Sequence, residues 1–249
     1  MKKTVLFLTL VSYSTIASAA VNSTKPITLI ALSKDSGQYI NICKAVESDC
    51  KTGTAIWKEK DSNVNFYLTS SDLQLVKVRK NDNKYTKVNI WNFSKENKTD
   101  DTPDDALTKD YIYIYPALYP LNKTKMAVAL VSKWSTAYSG GGRVEEYANF
   151  MMINDDSSYQ VAFNNVPFSS KEMIRACFTE EDYAKKLHCH DENWSILNLK
   201  ITDDSKEFYS WTFITKSYNW PAFTDKTSTQ VKNSEYVAYP FQLRTQSKG

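Results

Sequence analysis

The sequence predicts a mainly β protein: an antiparallel, sandwich-like scaffold with one short helical insert over about 170–187 and two disulfides. Short windows alternate β-branched or aromatic residues with polar ones, the period-two pattern of half-buried strands. Gly, Asn and Asp clusters punctuate those windows as turns. Four cysteines lie behind an export-type leader, which favours oxidation to disulfides.

The leader is MKKTVLFLTLVSYSTIASAA. Lys2 and Lys3 give a positive start, Val5 to Val11 an apolar run, and Ala17-Ser18-Ala19 small residues at a cleavage site. The run is shorter than the ~20 residues a membrane span needs. Residues 1–20 are therefore expected to be a cleaved signal peptide, and 21–249 a single β-rich domain that is periplasmic or secreted. The first cysteine is Cys43, so no cysteine stands at the new N-terminus for lipid anchoring. Removing the two leader lysines takes the formal charge from +3 to +1. Lys and Asp/Glu are interspersed rather than arranged as a basic stripe, which argues against nucleic acid. After Ala20 the longest apolar run, Met126 to Val131, predicts no membrane span.

Taken in order, Ile27 to Ser33 and Gln38 to Cys43 read as a hairpin around Lys34-Asp35-Ser36-Gly37. Leu73 to Arg79 and Tyr85 to Trp91 read as a second, turning at Lys80 to Asn83. The hydrophilic stretch Ser94 to Thr108 carries no periodicity and is the candidate for a sub-domain boundary. Tyr111 to Tyr115 resumes strand character, and Pro116 is expected to stop it. Met126 to Tyr138 and Arg143 to Ile153 form the strongest hairpin, with Ser139-Gly140-Gly141-Gly142 as its turn. Tyr159 to Val166 is a further strand. Ser169-Ser170-Lys171-Glu172 matches a capping box, and Met173, Ile174, Cys177 and Phe178 follow at helical spacing. Thr179 to Asp182 offers a second helix start, with Tyr183 and Leu187 as its apolar contacts. Trp194 to Ile201, Glu207 to Lys216 and Tyr236 to Leu243 close the chain as strands.

Local pairing of the cysteines, Cys43–Cys50 and Cys177–Cys189, is favoured among the three connectivities because each pair brackets one excursion. Neither pair has the C-x-x-C spacing of a zinc site.

No catalytic motif stands out. His188-Cys189-His190-Asp191 groups both histidines with ligand-capable neighbours, but on an extended segment Cys189 points away from them. The acidic pairs at 100–101, 104–105, 155–156 and 203–204 do not match a calcium loop. No metal and no cofactor is predicted. The glycine tip with Arg143, Glu145 and Glu146 behind it is the candidate binding element, through insertion into a partner's cleft or through an anion held by the glycine backbone. Tyr218-Asn219-Trp220-Pro221 is a candidate exposed ridge, with Trp220 as its contact. The expected function is that of an exported bacterial binding protein without catalysis, an inhibitor or immunity-type protein with a protein partner in the envelope. The alternatives are a carbohydrate- or peptidoglycan-active hydrolase using paired carboxylates, and a carbohydrate-binding or envelope structural protein.

Overall fold

The computed structural model describes residues 22–98, 104, 106–184 and 188–242. The leader, much of the 94–108 loop, Leu187 and Leu243 lie outside the described residues.

Strands dominate, and all of their pairings are antiparallel. They are β1 (Asn22–Thr24), β2 (Ile27–Ala31), β3 (Ala55–Glu59), β4 (Asn65–Thr69), β5 (Gln74–Asn81) and β6 (Lys84–Asn92). Then come β7 (Thr108–Pro120), β8 (Met126–Tyr138), β9 (Gly141–Ile153), β10 (Tyr159–Arg175), β11 (His190–Asp203), β12 (Ser210–Trp220) and β13 (Gln230–Ala238). Helices α1 (Gly37–Ala45) and α2 (Glu180–Ala184) complete the set, with short 3-10 turns at 47–49, 94–98 and 226–228. The strand order is β13-β12-β11-β10-β9-β8-β7-β2-β3-β4-β5-β6, with β1 paired to β11. Both predicted disulfides form, with Cα–Cα separations of 5.3 Å for Cys43–Cys50 and 5.1 Å for Cys177–Cys189.

This long sheet folds over itself into layers. Helix α1 sits outermost and buries Ile42 and Val46 against Ile56, Phe66, Leu68, Val76 and Val78 of β3–β5. The other face of that layer supplies Tyr67, Leu75 and Trp91, which meet Ile114, Leu118, Val128, Leu130 and Met151 of β7–β9. The opposite face of β7–β10 carries Ala129, Phe150 and Phe163, over which β11–β13 close with Ile201, Trp211 and Phe213. Trp211 meets Phe150 edge-on at 5.0 Å between centroids, and Phe163 at 4.8 Å. Aromatic contacts of this kind, edge-on to Phe150 and tilted by 39° to Phe163, add about 0.5–1.5 kcal/mol each to the area buried.

The closing strand β13 spans Gln230–Ala238, starting six residues before the expected Tyr236, with Tyr239 to Gln242 outside it. Other sequence expectations also need correction. Gln38 to Cys43 is helix, not strand: Ser36 caps it by accepting from the Tyr39 N–H at 3.2 Å, and burial of Ile42 outweighs strand propensity. Strands β3 and β4 went unforeseen. Pro116 does not stop β7, because a register shift between Ile114 and Leu118 accommodates it in the strand. The helical insert shrinks to α2, since β10 runs on to Arg175. The Ser169 and Ser170 hydroxyls that would have capped a helix bond across the sheet instead, to Glu146 and Ser195. The second start was the operative one: Thr179 accepts from the Asp182 N–H at 3.2 Å, and Asp182 accepts from the Thr179 N–H at 3.1 Å. No described helix is long and apolar enough to cross a membrane.

Phe150 lies beneath Tyr119, Phe163 and Trp211 and is fully buried. Phe150→Ala should cost about 3–5 kcal/mol in urea unfolding; a loss under about 1 kcal/mol would show that this cluster does not hold the layers together.

Candidate functional site

The glycine tip is not a free finger. Tyr138 pairs with Gly141, which leaves Ser139-Gly140 as a two-residue turn with Gly140 at φ +99°. Gly141 and Gly142 already belong to β9 and pair with Ile174 and Met173 of β10. The Arg175 N–H donates to the Gly140 carbonyl at 2.7 Å. A Cβ at Gly141 would lie 2.0 Å from the Met173 carbonyl oxygen, closer than any side chain tolerates. Gly141 is therefore required by close strand packing and Gly140 by its left-handed φ, and β10 supports the tip along one side.

The charged residues behind the tip are paired among themselves. The Arg143 guanidinium donates to Glu145 at 2.5 Å and 2.8 Å and to Asp104 at 2.9 Å. Those carboxylates hold it above its usual value, Glu145 first. The Tyr147 hydroxyl donates to the other Glu145 oxygen, and burial followed by that bond pushes its pKa up to about 12. Asp104 is held below the ordinary aspartate value of 3.8 by the Ala106 N–H and then by Arg143. Glu146 projects to the other face and accepts from Tyr113 at 3.1 Å and Ser169 at 2.7 Å.

Trp220 is half-buried, not an exposed ridge. It stacks on His188 at 3.6 Å and 14°, and its indole N–H donates to the Thr224 carbonyl. The His188 Nε2–H donates to the Pro221 carbonyl at 2.8 Å, and Asp191 accepts from the Ala222 N–H at 2.8 Å. Cys189 is committed to Cys177. The histidine cluster thus clamps the loop after β12 onto the start of β11. Among the described residues no group of His, Cys, Asp and Glu is placed to hold a metal ion.

Strand register assembles something that the sequence reading missed. Arg143, Glu172, Asn193, Asn219 and Gln230 are successive cross-strand partners from β9 to β13. Glu145, Ser170, Ser195, Ser217 and Lys232 form the adjoining row on the same face. Within them Asn219 donates to Asn193 at 2.6 Å, the Ser170 and Ser195 hydroxyls lie 2.7 Å apart, and Tyr138 donates to Glu172 at 3.3 Å. A shallow cleft of about 460 Å³ lies over these rows between Ser170 and Lys232. The intervening row, Lys171, Trp194, Tyr218 and Val231, projects from the opposite face, where Trp194 and Tyr218 stack at 4.8 Å and 5°. The available signal was a polar pair two residues apart on each strand, Ser170/Glu172, Asn193/Ser195, Ser217/Asn219 and Gln230/Lys232.

The arrangement can present donors and acceptors over a broad, nearly continuous face, anchored at one end by two of the predicted residues, Arg143 and Glu145. Comparison with protein families, with curated proteins and with solved structures gave no match.

Two outcomes follow from this geometry. Gly141→Ala should lower the unfolding midpoint by several degrees in the isolated protein, and an unchanged midpoint would mean the strands at the tip lie further apart than described. The Asp104 contribution to stability should be present in full above pH 3.8 and lost as pH falls through its lower folded value, the sign for a depressed carboxyl. Asp104→Asn should remove that part of the acid dependence in a pH series of thermal melts; an identical series in both proteins would deny the Arg143 contact.

Proposed function

We propose that this chain is an exported, non-catalytic binding protein of the inhibitor or immunity type, which lays the polar face of β9–β13 on an envelope-acting enzyme. The observation that carries this reading is the pair of polar rows crossing five adjacent strands, half-buried over most of their length and ending in Gln230 and Lys232 at the open edge. Amides, hydroxyls and paired charges spread over a sheet face suit a polar protein surface, where complementarity gives specificity. The tip glycines on this reading hold the rows in register, and Arg143, Glu145 and Glu146 are positioned by their own partners before a ligand arrives. Trp220 fixes the loop bordering the same end of β12.

One further point bears on the carbohydrate-binding alternative. A carbohydrate platform would need aromatic faces free for sugar rings, whereas Trp194 is stacked on Tyr218 and Trp220 on His188.

The test is site-specific photo-crosslinking in the envelope of the producing cell, with the photoreactive residue at Ser195 or Ser217, at Ser139 in the tip, or at Ile196 on the opposite face. Crosslinks from Ser195 and Ser217 to one envelope protein, abolished by Asn193→Arg with the fold intact, are the expected result. Crosslinks confined to Ser139 would restore insertion of the tip as the binding mode and remove the polar face from the account. Retention on purified peptidoglycan, lost in Asn193→Arg, would replace the protein partner with a glycan.

A further inference from the structure

The last strand of the sheet is an edge whose protection is limited to its charged side chains, Lys232 and Glu235. No described strand pairs with the outer side of β13. Its nine residues contain no proline, and its pairing with β12 shows no bulge. Edges of this length are ordinarily blunted by proline, bulges, inward charges or a covering element, because their free N–H and C=O groups template another strand. The opposite edge, β6, is guarded: α1 packs on the same layer, and Lys87 is tied to Asp49 at 2.8 Å. On the solvent face of β13, Val231 and Val237 are 52% and 61% exposed, among the most exposed large apolar side chains described.

We infer that β13 pairs antiparallel with β13 of a second copy of this chain, about a two-fold axis through Ser234. A two-fold axis perpendicular to a sheet keeps each face on its own side, so paired residues must be separated by an even number of positions, and a residue sits on the axis. Centred on Ser234, the solvent face aligns Val231 with Val237 and Asn233 with Glu235, each twice. The other face aligns Lys232 with Tyr236 and Ser234 with itself. No like charges meet, both exposed valines are covered, and each Lys232 stands opposite a Tyr236 whose ring stacks on Phe213 of its own chain. A one-position shift is forbidden by the faces. Centring on Asn233 would set Val231 opposite Glu235 and leave Val237 beyond the overlap. The sequence of the strand is therefore complementary to itself in one register, which selects a second copy over an unrelated strand.

The experiment is sedimentation of the exported, purified protein and of Asn233→Glu and Asn233→Lys. The wild type should be a dimer with a dissociation constant in the micromolar range. In Asn233→Glu the new carboxylate would face Glu235 of the other copy twice and weaken the dimer about 10-fold, while the ammonium of Asn233→Lys would strengthen it about 10-fold. Within one chain residue 233 stands opposite Lys216, so the effects on the monomer run the other way: the glutamate variant melts higher and the lysine variant lower. A general change in stability therefore cannot mimic the result. Ser234→Cys should cross-link spontaneously to a covalent dimer and Glu235→Cys should not. A wild type that stays monomeric throughout the micromolar range, a dimer indifferent to both Asn233 variants, or cross-linking through residue 235 as readily as through 234 would each overturn the pairing. These readouts need no envelope partner and stand or fall apart from the proposed function.

Discussion

Burial of the β8–β9 hairpin on both faces is the constraint from which the rest of this structure follows. Along β8, Ala127, Ala129 and Val131 face the aromatic cluster under β11–β13, while Val128 and Leu130 face the layer formed by β4–β6. Along β9, Phe150 and Met152 point one way and Met151 the other. A one-residue slip would exchange the two sets and push Phe150 into space shaped for Met151, so the register is fixed by two cores at once. The alanines at 127, 129 and 148 leave room for Tyr119, Phe150 and Trp211 to meet at ring contact.

That register carries consequences to the far end of the same strands, where the core gives out and polar residues begin. β8 and β9 keep one register from Phe150 out to the tip, and β10 joins them there past two register shifts between Phe163 and Ser169; from the Glu145–Ser170 and Arg143–Glu172 pairs onward the alignment passes without a shift to β11, β12 and β13. Most of these half-buried polar groups are tolerated because they find partners, Arg143 with Asp104 and Glu145, Asn219 with Asn193, Ser170 with Ser195. The hydrogen bonds preorganise the face, so a ligand meeting it would lose little free energy to ordering those side chains.

The β-rich class, both disulfides and the β5–β6 and β8–β9 hairpins were legible because each depends on local spacing. The errors came where local signals competed with tertiary ones. Tyr39, Ile42, Cys43 and Val46 recur at helical spacing, yet the alternation in Gln38 to Cys43 concealed it. Ser169 to Glu172 satisfies a capping box by composition, but the same hydroxyls serve cross-strand partners once β9 and β11 flank the segment. The polar face was illegible for a different reason. Each strand contributes only two unremarkable residues to it, and only the register of five strands places them side by side.

Amide hydrogen exchange followed residue by residue tests the claim that doubly buried β8–β9 sets the register out to the tip. Residues 127–131 and 148–152 should exchange only through global unfolding, and the Arg175 N–H, held by Gly140, should be protected far above an open turn. Arg175 exchanging as freely as an unpaired hairpin end, or β8–β9 opening before β4–β6, would contradict the account.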